Sequence, residues 1–168
     1  MNEIRNRVTE SSTLVVFDLE DYFPQAGVAE FDLAPLVSDG VMREKTCREF
    51  FKSLNCEKFR DQVVAFYCSV DAILPQWIWP MASSAVAQEA LYSTSGRKPD
   101  ALQAYYSQRL AGIKWEEFVG KKVLLKGCGH YPVPNSAYVQ AATHLCLSAQ
   151  KLMYGEACSN VLIYSNKK

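Results

Sequence analysis

Apolar and polar positions alternate along this chain in a way that predicts short strands separated by helices. Runs rich in β-branched and apolar residues indicate strands, and apolar positions three or four apart indicate helices. The predicted strands are Thr13–Leu19, Val28–Leu33, Gln62–Cys68, Leu91–Thr94, Lys122–Lys126 and Asn160–Tyr164. The predicted helices are Val41–Leu54, Pro75–Ala90 (kinked at Pro80, or starting near it), Ala101–Ala111 and Asn135–Tyr154.

This order predicts an α/β fold with three layers, in which helices flank a mainly parallel sheet. Strands and helices alternate after residue 62, which is typical of parallel strands joined by right-handed crossovers. The first two strands share the sequence Phe-Asp-Leu, and a short loop with Pro24 and Gly27 joins them. We therefore expect an N-terminal antiparallel ribbon within 1–40, βα units over 41–168, and a single α/β domain over 1–168.

Two strand-to-helix passages resemble each other at a spacing of 59 positions, which takes Val64 to Val123. Each consists of a buried strand, a cysteine and a proline loop before a helix. Cys68 and Cys128 are one position out of step at this spacing, since they lie 60 apart. The carboxyl ends of parallel strands share one edge of a sheet, where ligands of such folds bind. The two passages therefore predict a site at that edge.

Composition and charge exclude several classes of protein. Lys and Arg number 18, Asp and Glu also number 18, and the formal net charge is zero, so the basic surface of a nucleic-acid-binding protein is not expected. The most apolar run is interrupted by Asp71 and by prolines, which argues against a membrane span. Residues 1–7 are charged and lack the apolar segment of a signal peptide. Together with six cysteines, this predicts a cytoplasmic protein with reduced thiols.

The leading hypothesis is that the protein binds a small ligand or a metal ion at the carboxyl ends of its strands. Cys128 and His130 are two residues apart and each adjoins a glycine, and Cys68 and Asp71 follow the other buried strand. Thiolate and imidazole ligands are suited to zinc or iron. Paired Cys-x-x-Cys spacing is absent from the sequence, so structural thiols and a surface histidine remain an alternative.

A second hypothesis is a thiol-dependent enzyme in which Cys128 is the nucleophile. His130, or the amino end of the following helix, would activate the thiol, and the N–H groups of Gly129 and His130 would stabilise an oxyanion. Asn135 and Ser136, at the start of that helix, are candidates for binding an anion, with ordinary helix capping as the alternative. The acidic residues Asp18, Glu20 and Asp21 are either a cation site or solvated charges.

A third hypothesis is a structural or regulatory homodimer without catalysis. Several aromatic residues flank the two proline loops, where they would line a pocket, form a dimer interface or belong to the core. These residues are Trp77, Trp79, Trp115, Tyr131 and Tyr138.

Three motifs carry a resemblance to a known family. They are Phe17-Asp-Leu-Glu-Asp-Tyr-Phe-Pro24, Lys126-Gly-Cys128 with Pro132-Val-Pro134 and Ala137-Tyr138, and Leu152-Met-Tyr-Gly-Glu-Ala-Cys158-Ser. Over nearly the whole chain, the sequence resembles a family of small bacterial proteins known only as a domain of unknown function. The resemblance implies a bacterial, cytoplasmic, single-domain protein, and it implies no particular catalytic residue.

Overall fold

The computed structural model describes residues 14–166, and these residues form two compact units. One unit, here called the split unit, takes its described residues from 14–22 and 109–166; the other, the continuous unit, is Phe23–Gln108. The strands are β1 Leu14–Asp18, β2 Val28–Asp32, β3 Val37–Ser38, β4 Val41–Met42, β5 Val63–Tyr67, β6 Tyr92–Ser95, β7 Lys122–Lys126, β8 Lys151–Glu156 and β9 Ser159–Ser165. The α-helices are α1 Glu44–Ser53, α2 Ile78–Val86, α3 Lys98–Ala111 and α4 Asn135–Ser148.

The split unit contains a four-stranded sheet in the order β1-β7-β8-β9. β7 pairs in parallel with both β1 and β8, and β9 pairs antiparallel with β8. The central strand is apolar on both faces because Val123, Leu124 and Leu125 are all buried. Burial of each such side chain contributes roughly 1.5–3 kcal/mol to folding. This hydrophobic core holds the carboxyl end of β7 in a defined place.

The continuous unit contains a three-stranded parallel sheet in the order β2-β5-β6. Its central strand β5 has four consecutive buried residues, as the apolar run Gln62–Cys68 predicts. Phe31 on β2 packs among several other rings, with centroids 5.7 Å from Phe59 and from Phe66. The described core of this unit also includes residues of α1 and α2, such as Phe51 and Ile78.

The predicted fold class is confirmed: strands and helices alternate, and most strand pairs are parallel. The predicted pairing within the N-terminal ribbon is wrong, because β1 and β2 belong to different sheets and each pairs in parallel with a later strand. The antiparallel pair near this end is β3 with β4, joined through Asp39 and Gly40, which both have positive φ. The short loop with Pro24 and Gly27 thus connects strands of two different sheets and does not form a hairpin.

Two further predictions for the C-terminal region require correction. The helix expected over Asn135–Tyr154 ends at Ser148, and β8 follows it. Gly155, expected as a helix cap, belongs to β8 at φ +119, where a Cβ would lie 2.8 Å from the Ser159 carbonyl oxygen. The final strand is confirmed, but it runs antiparallel to β8. The tight β8–β9 hairpin therefore replaces the last turns of the expected helix.

The spacing of 59 positions is a structural repeat. The 3-10 helices Cys56–Phe59 and Trp115–Phe118 are 59 positions apart, and each precedes the central strand of its sheet. The register pairs Val63 with Tyr92 in one sheet and Lys122 with Lys151, 59 positions later for both partners, in the other. Each unit is compact by itself. Whether the two units fold together as the single domain expected over 1–168 therefore stays a prediction.

Candidate functional site

A pocket of about 740 Å³ lies in the split unit, at the carboxyl ends of β7 and β8 and the start of α4. Its wall is mostly apolar, with a small number of polar groups. The lining residues are Leu125, Gly127, Cys128, Gly129, His130, Tyr131, Pro132, Val133, Asn135, Tyr138, Val139, Ala142, Tyr154 and Ile163. The volume and composition are those of a typical small-molecule site. The pocket lies at the strand end that carries Cys128, but Cys68 follows β5, which belongs to the other sheet, so the two passages do not share one edge as the sequence predicts.

The turn after β7 requires glycine at position 127. Gly127 has φ +150, and a Cβ built on it would lie 2.9 Å from the Tyr138 hydroxyl oxygen and 3.0 Å from the Leu19 Cβ. Only glycine combines this backbone conformation with so close an approach. The turn brings Cys128 to the surface, where it is exposed within the pocket wall.

The backbone after Cys128 forms an anion-binding concavity, and Glu20 occupies it. The N–H groups of Gly129, His130 and Tyr131 all donate to the Glu20 Oε1 atom, at 2.8 Å from His130 and 3.3 Å from Tyr131. Partial burial would raise the pKa of the Glu20 carboxyl, but these three hydrogen bonds outweigh it, and the net pKa is lowered. Glu20 thus tethers the loop that carries Cys128 to the residues after β1.

Tyr154 and Tyr138 are the polar neighbours of Cys128. The pKa of Tyr154 is raised to about 12. Side-chain hydrogen bonding with Cys128 is the largest cause of this shift, and burial is the next. Burial, followed by the nearby charges of Cys128 and Glu20, raises the pKa of Tyr138. The two rings meet edge to face at 5.9 Å. Both phenols therefore remain protonated at neutral pH, and Tyr154 can donate a hydrogen bond beside the thiol.

Lys126 provides a positive charge at the end of β7. Its Nζ atom lies 2.9 Å from Glu156 Oε1, and this hydrogen bond is the largest cause of the raised pKa of Lys126. Asp18 and Cys128 also contribute to the shift, so the ammonium group lies within electrostatic range of the thiol.

The structure brings together some of the predicted site residues. His130, Tyr131, Asn135 and Tyr138 line the pocket with Cys128. Pro134 is the N-cap of α4, without a side-chain cap bond, and Asn135 and Ser136 are its first helical residues. Their capping role is therefore wrong, and anion binding by them stays a prediction.

The other predicted candidates belong to the continuous unit. Cys68 is half-buried, with its thiol donating to the Val70 carbonyl oxygen at 3.5 Å, and Asp71 is exposed. Trp77 and Trp79 pack against the core of that unit. Within residues 14–166, no three His, Cys, Asp or Glu side chains are grouped so that they could hold a metal ion. The zinc or iron site and the homodimer thus stay predictions without support from this geometry.

Sequence reasoning missed two residues of the site. Tyr154 lies in a segment for which the sequence predicts a helix, and the sequence indicates Glu20 only as part of an acidic cluster with Asp18 and Asp21. Asp18 in fact accepts a hydrogen bond from the Glu20 backbone N–H at 3.0 Å, and Asp21 is exposed. The motifs around Glu20, Cys128 and Tyr154 together carry the resemblance to the family, and this was the one signal that could have linked these three positions.

The fold and the pocket define a class: an α/β protein with a small-molecule-sized pocket at the carboxyl edge of a mainly parallel sheet. No helix among the described residues has both the length and the apolar character needed to cross a membrane. The chain belongs to the family described as "Protein of unknown function (DUF2480)", whose model matches residues 2–166, and this confirms the predicted family membership. No curated protein and no solved structure matches the chain.

Proposed function

We propose that the split unit binds a small, largely apolar molecule in the pocket beside Cys128. The observation that carries this proposal is the pocket itself, about 740 Å³ in volume and located where β7 and β8 end. Ligand sites in proteins are concave, mostly apolar and supplied with a few polar groups that orient the ligand. Here Cys128, Tyr138 and Tyr154 are those groups, and Val139 and Ile163 are among the apolar residues of the wall.

The loop that forms the pocket is held in place before any ligand arrives. Glu20 binds three consecutive N–H groups, and Gly127 allows Tyr138 to approach the backbone closely. A preformed site loses less conformational entropy on binding than a loop that must first become ordered. The arrangement therefore supports binding of a ligand to a largely rigid site.

Binding is tested by titrating the ¹⁵N-labelled protein with 4-phenylbutan-2-one, benzyl alcohol and cyclohexanone. We expect shifts of the amide signals of Gly127, Gly129 and Tyr154, and no comparable shifts in the continuous unit. Absence of saturable shifts at these three amides for all three compounds would contradict the proposal.

Helix α4 offers a matched pair of variants for the same titration. Val139 lines the pocket and is 67% exposed, whereas Leu147 is 84% exposed and is not among the lining residues. Val139→Arg should weaken binding about tenfold or more, equivalent to about 1.4 kcal/mol, because the new side chain enters the pocket. Leu147→Arg should leave the affinity unchanged, and equal losses in both variants would refute the assignment of the pocket.

A second candidate function, a thiol-dependent enzyme that uses Cys128, is favoured by one observation. The exposed thiol has a protonated phenol and an ammonium group as neighbours. Iodoacetamide should therefore alkylate Cys128 faster than Cys158, which is also exposed and serves as an internal reference. Peptide mass spectrometry after short labelling measures both rates, and a slower reaction at Cys128 would remove this candidate.

A further inference from the structure

We propose that the ligand of this pocket is an α,β-unsaturated carbonyl compound, and that Cys128 adds to it covalently while Tyr154 donates a hydrogen bond to its carbonyl oxygen. This inference rests on the proposed function, since it assigns a chemical class to the small molecule bound there. It combines the pocket, the exposed thiol, the phenol beside the thiol, and the occupied state of the backbone N–H groups.

The backbone N–H groups argue against acyl transfer. Attack on an ester or amide develops an oxyanion that needs preorganised donors, and Gly129 and His130 were the donors expected from the sequence. Both of these N–H groups instead donate to Glu20, as does that of Tyr131. The oxyanion hole is therefore filled by a side chain of the protein. A reaction that needs a single donor to oxygen fits this site better.

Conjugate addition needs one such donor, and Tyr154 supplies it. The side chains of Tyr154 and Cys128 both line the pocket, and Cys128 is close enough to raise the pKa of Tyr154, so both groups face the same space. Tyr138, in edge-to-face contact with Tyr154, lies on the same wall and adds a second phenol. The thiolate is a strong nucleophile, and the apolar wall suits the hydrocarbon part of the ligand.

The reaction balances without an oxidant or a reductant. The Cys128 S–H bond breaks, and its proton passes to solvent water. The thiolate sulfur forms a bond to the β-carbon of the ligand as the carbon–carbon π bond breaks. The π electrons move toward the carbonyl oxygen, where the Tyr154 hydroxyl donates its hydrogen bond. The α-carbon then takes a proton from water, so the net change is addition of the thiol across the double bond.

Two probes that differ in one bond separate this inference from simple binding. 4-Phenylbut-3-en-2-one is an enone, and 4-phenylbutan-2-one is its saturated counterpart, of nearly the same shape. The enone should add a single equivalent of mass to the protein at Cys128, and Cys128→Ser should prevent that addition. Saturable binding of the saturated ketone without any adduct from the enone would overturn the covalent inference and leave the proposed function intact. Absence of binding by either compound would overturn both.

The role of Tyr154 is tested by comparing the enone with iodoacetamide, because alkylation by iodoacetamide develops no charge on a carbonyl oxygen. Tyr154→Phe should slow the addition of the enone to Cys128 by about tenfold or more, corresponding to about 1.4 kcal/mol in the barrier. It should slow alkylation by iodoacetamide much less. Equal slowing with both reagents would mean that Tyr154 acts only on the thiol, and it would refute the donor role.

The unmodified protein gives an independent measurement that does not depend on folding of the variant. Cys158 is a second exposed thiol of the split unit. The ratio of the Cys128 rate to the Cys158 rate should be larger for the enone than for iodoacetamide, because the Tyr154 phenol lines the pocket beside Cys128. Equal ratios for the two reagents would overturn the proposal.

Discussion

The split unit and the continuous unit contain the same arrangement of three parallel strands, yet only one of them has the cysteine pocket. The central strands β7 and β5 are equivalent at a spacing of 59 positions, and their partners β8 and β6 have the same register. The first strands are also equivalent: Asp18 accepts a hydrogen bond from the N–H of Glu20 at 3.0 Å, and Asp32 accepts one from the N–H of Ala34 at 2.9 Å. The two units therefore share the same strand pairing, the same register and the same hydrogen bond in the turn after the first strand.

The side chains at the carboxyl edge differ almost completely. At the spacing of 59 positions, Cys128 corresponds to Ser69 and Tyr154 to Ser95. The Ser69 hydroxyl donates to Asp32 at 2.5 Å, so the equivalent position of the continuous unit is closed by a carboxylate. Partial burial would raise the pKa of the Asp32 carboxyl, but hydrogen bonds from Ser69 and Ala34 outweigh it and lower the pKa.

The cation at this edge also differs between the units. The Arg97 guanidinium of the continuous unit lies 3.8 Å from the centre of the Tyr67 ring and 3.3 Å from Glu30. In the split unit, Lys126, which corresponds to Tyr67 at the same spacing, pairs with Glu156 near the thiol. One scaffold thus carries a pocket with an exposed thiol in one unit and a closed network of polar side chains in the other. The site is a property of the edge residues and not of the fold.

The largest effect on the free energy of unfolding is expected from a substitution in the turn after β7, where the split unit requires glycine. Gly127→Ala should lower the free energy of unfolding by about 3 kcal/mol, because a Cβ meets Tyr138 and Leu19 at a strained φ. Cys68→Ala, at the equivalent position of the continuous unit, should cost less than about 1 kcal/mol. Urea unfolding followed by circular dichroism measures both values, and similar costs would show that the two turns are not different.

The two central strands should respond alike to loss of the same side chain. Val64 and Val123 are equivalent and fully buried. Val64→Ala and Val123→Ala should each cost about 2 kcal/mol, through lost apolar burial and a residual cavity. Differential scanning calorimetry measures the two losses. It also tests the predicted single domain, because a second transition in either variant would show that the units unfold separately.

Transfer of the thiol to the continuous unit should not transfer its reactivity. In Ser69→Cys, the new thiol would face the ionised Asp32, which raises the pKa of a neighbouring thiol and lowers the thiolate fraction. We expect alkylation by iodoacetamide at position 69 to be about tenfold slower than at Cys128, because the neighbouring negative charge disfavours the thiolate. Peptide mass spectrometry of the variant compares both sites in one sample, and equal rates would break the comparison between the units.

The smallest effect on stability is expected from substitution of Glu20, and the size of this effect depends on pH. The folded-state pKa of Glu20 is lowered from 4.5, so its hydrogen bonds contribute stability that is fully present above that value and lost as the pH falls through the folded-state pKa. Glu20→Gln should therefore lower Tm slightly at neutral pH and have a smaller effect in acid. The same decrease in Tm at every pH would show that ionisation of Glu20 is not involved.

Part of this site could be predicted from the sequence because it depends on neighbouring residues. The apolar run before Gly127 predicts a buried central strand, the glycines on either side of Cys128 predict a tight turn, and the proline loop predicts a following helix. These features depend on the burial pattern and on the φ preferences of single residues. Both can be inferred from a short stretch of sequence. The position of Cys128 in a tight turn between the central strand and a helix was therefore predictable.

Contacts between distant segments could not be predicted in the same way. Glu20 reaches the Gly129 N–H across 109 positions of the chain, and β1 is placed beside β7 and not beside β2. The sequence predicts residues 151–154 as the end of a helix, but they belong to a strand because β7 and β9 pair with it on either side. Pairing between strands outweighs local preference, since it depends on the whole sheet.

The sequence by itself determined the α/β class, the buried central strands, the repeat at a spacing of 59 positions and the turn Gly127-Cys128-Gly129. Only the tertiary structure decided that Tyr154 faces Cys128 and that Glu20 fills the backbone N–H groups beside it. The physical reason is that burial patterns and turn preferences are local, whereas the neighbours of an exposed thiol come from strands that meet only in the folded sheet.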